Sequence, residues 1–319
     1  MKIFFLGQNR GSNGPSNVNK ALIKNFSSEF SYIKCKNKIA RSFEMAFKIV
    51  SSDVTVISGL SMNGYHVACL AKKFNKKVIY IMHGCSAYES KLNGETNAAA
   101  EQTENNILNK SDLILAVSEK FSKWLKKEYP EFAGKINFLN NGLEKPDYGN
   151  LNFEKIPGSI IATGGDRNSK NNAVLCKVIE RMDGETFLFV YGHIHNRKPE
   201  ATKYTRYMGA VPHSELYRQM AKSEIFVLNS LFEPFNLSVI DALNCKCSVL
   251  VSNNAGVADL LNLNDEDIIY DPNDTDEIEE KIKYLLKHPN YERIFHDLDY
   301  ESNSYANAVN KLKAFASEP

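Results

Sequence analysis

Short runs of apolar residues alternate along this chain with longer stretches in which apolar positions recur every three or four residues. In the first half the runs fall at 2–6, 32–35, 54–58, 78–82, 113–117 and 136–139, and they read as strands. The stretches between them, at 16–25, 39–50, 64–74, 98–109 and 120–129, read as helices. Continuous apolar runs describe strands covered on both faces, and amphipathic segments between them describe crossovers, so the pattern predicts a parallel sheet wrapped by helices. The alternation pauses over the polar segment 143–157, which carries Pro146, Gly149 and Pro157 and reads as a linker. It then restarts, with strands at 159–163, 186–191, 204–208, 225–228, 248–251 and 268–270 and helices at 171–181, 213–221, 237–243 and 277–287. The tail, 291–316, reads as amphipathic helix. The fold expected is α/β: two Rossmann-like doubly wound domains, 1–147 and 148–300, facing across a cleft, with 301–319 a helix returning to the first. Ligands of such sheets bind outside the carboxyl ends of the strands.

Composition changes this picture little. The chain has 319 residues, enough for two cores, and 43% apolar content is ordinary for a globular protein. Charge is more telling than its sum of +1. Residues 1–150 hold 21 lysines and arginines against 13 acids, whereas the remainder holds 18 against 25. A basic first half suits an anionic acceptor or anionic lipid headgroups, and equally two solvated surfaces. Six cysteines, at 35, 69, 85, 176, 245 and 247, include no CxxC pair and read as reduced thiols of a cytoplasmic protein. The apolar start is too short for a signal peptide, and no run reaches the length of a spanning helix, so membrane contact would be peripheral, at the inner face of the cytoplasmic membrane.

The candidate chemistry lies at strand ends. Glu233-Pro234-Phe235-Asn236-Leu237-Ser238-Val239-Ile240-Asp241 joins a strand to a helix and carries an acid at each end. Such a connection aims backbone N–H groups and two carboxylates into one crevice, amides suiting phosphate and carboxylates suiting sugar hydroxyls. A second connection, Gly164-Gly165-Asp166-Arg167-Asn168-Ser169-Lys170, ends another strand in a glycine turn with two cations beside a helix N-terminus, which suits a diphosphate. In the first half Gly11-Ser12-Asn13-Gly14-Pro15-Ser16 follows the first strand, with Ser16 a helix N-cap candidate, and His83-Gly84 ends the strand at 78–82. Tyr88 and Glu89 follow in an expected loop.

With these residues in view, the chain resembles the GT-B fold glycosyltransferases, most closely the retaining glycosyltransferase family 4. The resemblance rests on Glu233-Pro234-Phe235 with Asp241, the turn at 164–170, Gly209-Ala210-Val211-Pro212-His213-Ser214-Glu215-Leu216, Asn141-Gly142-Leu143-Glu144, and Ser252 with Ala255-Gly256-Val257-Ala258-Asp259. It implies that a nucleotide diphosphate sugar, UDP- or GDP-linked, is the donor substrate and that no cofactor or metal is used. It gives Glu233 the hydroxyls of the donor sugar, Arg167 and Lys170 the diphosphate, and the amides of Phe235, Asn236 and Leu237 the sugar or phosphate. Gly209 and Val211 would line the base pocket. The loop with Gly14 and Ser16 would lie near the donor phosphates or the acceptor, Gly165 near the phosphates, and His83 near the reacting sugar. Asp241 stands where the family usually has a glutamate for the ribose. The implied acceptor is a lipid-linked or growing bacterial surface glycan. Two other classes stay open: a non-catalytic GT-B-like protein that binds a nucleotide sugar and stabilises a partner transferase, and a sugar-nucleotide epimerase or phosphorylase. His193-x-His195 lacks further ligands for a metal, and the lysines at 72, 73, 76 and 77 accompany no nucleic-acid motif.

Overall fold

The computed structural model describes residues 1–11, 13–145, 153–194 and 202–318. Ser12, Pro146, Gly149 and His195 therefore lie outside the described residues. The chain forms two units: Met1–Lys91, Glu95–Glu144 and Asp299–Pro319 make the first, and Leu92–Gly94 with Lys145–Leu298 the second.

The first unit is built on six parallel strands, β1 (Ile3–Gly7), β2 (Phe30–Tyr32), β3 (Val54–Ser58), β4 (Lys77–Met82), β5 (Leu113–Ala116) and β6 (Ile136–Phe138). Their order is β2-β1-β3-β4-β5-β6. The helices α1 (Gly14–Lys24), α2 (Lys38–Ser51), α3 (Met62–Lys73), α4 (Ser86–Leu92), α5 (Ala98–Lys110) and α6 (Glu119–Glu128) make the connections. Crossover helices on both faces explain why β3 is buried at every position. Two elements depart from expectation. The strand expected at 32–35 ends at Tyr32, because the ladder with β1 stops there. Tyr88 and Glu89, expected in a loop, lie in α4.

The second unit repeats the design with β7 (Ser159–Thr163), β8 (Phe187–Tyr191), β9 (Thr205–Gly209), β10 (Ile225–Leu228), β11 (Ser248–Ser252) and β12 (Ile268–Ile269), in the order β12-β11-β10-β7-β8-β9. Its helices are α7 (Asn172–Arg181), α8 (His213–Lys222), α9 (Leu237–Asn244), α10 (Thr275–Lys287) and α11 (Tyr291–Asp297). Ile278, Ile282 and Leu285 of α10 close one side of a core with Ile160, Leu188, Ile225 and Leu250. The tail expected as one helix is two: α11 stops at Asp297 and α12 (Tyr305–Ser317) begins after Ser304, its N-cap. α12 belongs to the first unit, where Lys77 Nζ donates to the carbonyl of Phe315 at 2.9 Å.

Both strand orders contain a reversal, between β1 and β3 in one sheet and between β7 and β10 in the other. Chains leaving neighbouring strands there turn to opposite faces, which opens a crevice at the carboxyl ends.

Candidate functional site

The reversal in the second sheet brings the two sequence segments together. The turn after β7 and the connection after β10 start from paired strands. They are also tied to each other, since Leu231 N donates to the Ser169 carbonyl at 2.9 Å. Glycines make the first turn possible. Gly164 N and Gly165 N both donate to the Tyr191 carbonyl, at 2.8 and 3.0 Å, so the turn hugs the end of β8. A Cβ on Gly165 would stand 2.0 Å from the His193 carbonyl oxygen, and its φ is +62°. Gly165 thus serves backbone approach, and its N–H is occupied by Tyr191.

Lys170, at the end of this turn, forms an ion pair with Glu233, and the two side chains are only 10% and 12% exposed. Asn236 Nδ2 donates to the same Glu233 oxygen at 2.9 Å. Burial pushes the Glu233 carboxyl up, but the Lys170 ammonium and the Asn236 amide, with the Arg167 charge nearby, outweigh it and hold the group below the usual carboxylate range. Asn236 sits at φ +86°, and its Oδ1 accepts from Ser238 N at 2.9 Å as the N-cap of α9. An asparagine tolerates that backbone, and here its one side chain orients the acid and starts the helix. Arg167 is exposed, with Nε donating to the Gly164 carbonyl at 3.3 Å. Phe235 is buried at 3% exposure, and its carbonyl accepts from Val257 N at 3.0 Å. Leu237 is the first residue of α9. The loop after β11 braces the acid from behind, with Gly256 N donating to the Glu233 carbonyl at 2.9 Å.

Asp241 projects from α9 towards α8. It accepts from Tyr217 Oη, and its other oxygen lies 3.3 Å from His213 Nε2. Tyr217 was not singled out by the sequence, and His213 entered only as part of the 209–216 stretch, without a role of its own; their spacing of four places both on one face of α8. Gly209 ends β9 at φ +75°, and its carbonyl accepts from Gly192 N at 2.9 Å; Val211 follows in the turn before α8.

The reversal in the first sheet frames a cavity of about 550 Å³. Gln8, Arg10, Asn13, Arg41, Ser58 and His83 are among its lining residues. Asn13, rather than Ser16, caps α1: its Oδ1 accepts from Ser16 N at 3.0 Å. The reason is position, since helical backbone already starts at Gly14. Gly14 is the first residue of the helix, and Ser16 is fully buried with no hydrogen bond to its Oγ among the described residues.

His83 is held by a chain of hydrogen bonds. Asn19 Nδ2 donates to the Gln8 carbonyl at 3.0 Å, which turns Asn19 Oδ1 towards Ser58. Ser58 Oγ donates to that oxygen at 2.6 Å and lies 2.8 Å from His83 Nε2. With the hydroxyl hydrogen used, Nε2 carries the imidazole hydrogen and Nδ1 keeps its lone pair. Burial pulls the pKa of His83 down to about 4, so the ring is neutral at physiological pH. Glu104, buried and also unforeseen, accepts from Ser86 N at 2.8 Å and fixes the turn after His83.

The depressed pKa has a measurable consequence. A His bound neutral in the folded state and ordinary in the unfolded state makes the unfolded chain the better proton acceptor between those two values. Stability is full above about pH 6.5 and is lost as pH falls towards 4, by about 2–3 kcal/mol at pH 4.5 from this residue. Urea unfolding of the wild type and His83→Asn at pH 7.5 and pH 4.5 should show a smaller acid loss in the variant. Equal losses would mean that His83 is not the group titrating.

Residues 160–299 match the family model for glycosyl transferases group 1. Among curated proteins, the chain is 31% identical over 91 residues to the O-antigen chain mannosyltransferase B of Escherichia coli, a match spanning 28% of this chain and 23% of that protein. It is 21% identical over 261 residues to the N-acetylgalactosamine-N,N'-diacetylbacillosaminyl-diphospho-undecaprenol 4-alpha-N-acetylgalactosaminyltransferase of Campylobacter jejuni, covering 78% of this chain and 70% of that one. Among solved structures, Anabaena HepE in complex with UDP and glucose superposes with a TM-score of 0.71 at 12% identity over 99% of both chains. Sucrose-phosphate synthase of Thermosynechococcus elongatus gives 0.71 at 15% identity over the whole of both. Residues 160–299 therefore resemble the glycosyl transferases group 1, and the chain has the GT-B fold.

Proposed function

We propose that the protein is a retaining glycosyltransferase that moves a sugar from a nucleotide diphosphate sugar to a hydroxyl of a lipid-linked or growing bacterial surface glycan. The observation that carries this reading is the meeting of Lys170 and Glu233 at the reversal of the second sheet. One site then offers a cation with Arg167 beside it for a diphosphate and a carboxylate for sugar hydroxyls. Without ligand the two groups neutralise each other. A donor would draw Lys170 to its phosphates and leave Glu233 to the sugar. In the transfer, the bond from C1 to the diphosphate oxygen breaks while the acceptor oxygen bonds to C1 from the same face. The acceptor proton passes to the departing phosphate oxygen, so configuration is kept and no protein nucleophile is required. Lys170 and Arg167 stabilise the charge developing on the leaving group. His83 offers Nδ1 to a sugar hydroxyl. The undecaprenol-linked substrate named for the Campylobacter relative supports a lipid carrier, and the UDP complex of the Anabaena protein supports testing uridine donors first.

The engagement of Asp241 by Tyr217 and His213 favours a second reading, in which a nucleotide sugar is bound without turnover. A thermal-shift panel of UDP- and GDP-linked sugars, followed by assay of nucleotide diphosphate release, separates them. A matching donor at about a hundred times its Kd adds roughly 2.7 kcal/mol. Stabilisation with product release supports transfer, stabilisation alone supports the binding protein, and no response to any donor removes both.

A further inference from the structure

α2 leaves an apolar row uncovered. Ile39, Phe43, Phe47 and Val50 follow one another at spacings of four, four and three residues, so they share one narrow face. They are 72, 73, 73 and 47% exposed, and Ile49 is the buried residue of the helix. Isolated exposed apolar residues are common, but a row of four with two phenylalanines marks a surface that something covers.

The charge around the row says what. Between residues 34 and 51 stand Lys34, Lys36, Lys38, Arg41 and Lys48 against one acid, Glu44. That acid is already engaged: one oxygen accepts from Cys35 N at 2.9 Å and the other lies 3.5 Å from Lys48 Nζ. A second copy of this chain laid on the same face would set these cations against their own kind. An anionic surface with an apolar interior meets both features at once.

We propose that α2 docks the protein on an anionic lipid bilayer, with Ile39, Phe43, Phe47 and Val50 at the headgroup–acyl boundary and Lys36 and Lys38 against lipid phosphates. Docking acquires its purpose from the transfer reading above. Arg41, on the opposite face of the same helix, lines the cavity that holds His83, so docking would set that cavity about one helix diameter (~10 Å) from the lipid surface that carries a lipid-borne glycan.

The test is sedimentation of the full chain with vesicles of phosphatidylcholine alone and of phosphatidylcholine mixed with phosphatidylglycerol. The wild type should bind the anionic vesicles at least about tenfold more tightly, more weakly as salt rises, and both Phe43→Ser/Phe47→Ser and Lys36→Glu/Lys38→Glu should lose about tenfold or more. Both phenylalanines are exposed, so the melting temperature of the first variant should hold. Equal binding to both vesicle types, unchanged binding by the phenylalanine variant, or a dimer that this variant dissolves in sedimentation velocity would each overturn the proposal. Stabilisation by UDP, measured on the same samples, reports on the second unit alone. Its absence for UDP, and for GDP run alongside it, with vesicle binding intact sinks the donor reading and leaves the docking surface standing.

Discussion

Lys170→Met is expected to destabilise the second unit by about 3 kcal/mol, because it strands a buried carboxylate that now has a lysine partner. The pair is close to fully buried, and the Glu233 carboxyl is held ionised against its burial chiefly by that ammonium. Replacing both partners with neutral groups of similar shape, as in Lys170→Met/Glu233→Gln, should recover most of the stability, since no unpaired charge is left behind. Transfer should not recover. Each single variant is expected to lose at least about tenfold in turnover, the size set by one charge-assisted contact at roughly 1.5–3 kcal/mol, and the double variant should be no better. Urea unfolding and a donor-turnover assay on the three variants give the two readouts. Near-normal turnover in Lys170→Met and in Glu233→Gln would remove both residues from the mechanism, whatever the stability data show.

Gly165→Ala should be nearly as damaging, by about 3 kcal/mol or more, and for a backbone reason. The residue adopts φ +62°, and the added Cβ would overlap the His193 carbonyl oxygen, which is part of the backbone and has no rotamer to escape into. Relief requires the turn after β7 to lift from the end of β8, breaking the bonds from Gly164 N and Gly165 N to the Tyr191 carbonyl. Lys170 lies five residues along the same turn, so the variant should also weaken UDP binding. Gly14→Ala is the control. A Cβ there meets nothing within 4 Å, and alanine suits the first turn of α1 better than glycine does, so the change should be neutral or slightly stabilising. A midpoint for Gly165→Ala within error of the wild type would show that the turn can relax without cost.

Much of this molecule was legible before any coordinates. Apolar runs of strand length separated by amphipathic stretches of helix length marked twelve strands and their connections, because burial on both faces of a parallel sheet demands that pattern. The segments carrying Glu233 and Lys170 stood out because strand-end turns rich in glycine, acid and base have few structural reasons to exist. Boundaries were less secure. The strand after α1 stops at Tyr32, since the ladder ends with its neighbour rather than with the apolar run. α4 was missed because it is short and has no buried face, so no periodicity announced it.

What the sequence determined by itself was the list of layers and the chemistry at their ends, since both follow from local spacing and residue type. Tertiary structure alone decided which of those groups meet. The order β12-β11-β10-β7-β8-β9 set the turn after β7 beside the connection after β10 and so paired Lys170 with Glu233 across 63 positions. It also turned Asp241 towards Tyr217 and His213, chained His83 to Ser58 and Asn19, and left the phenylalanines of α2 in the open. Partners chosen by strand order and helix packing have no signature along the chain, because the contacts that select them join residues tens of positions apart.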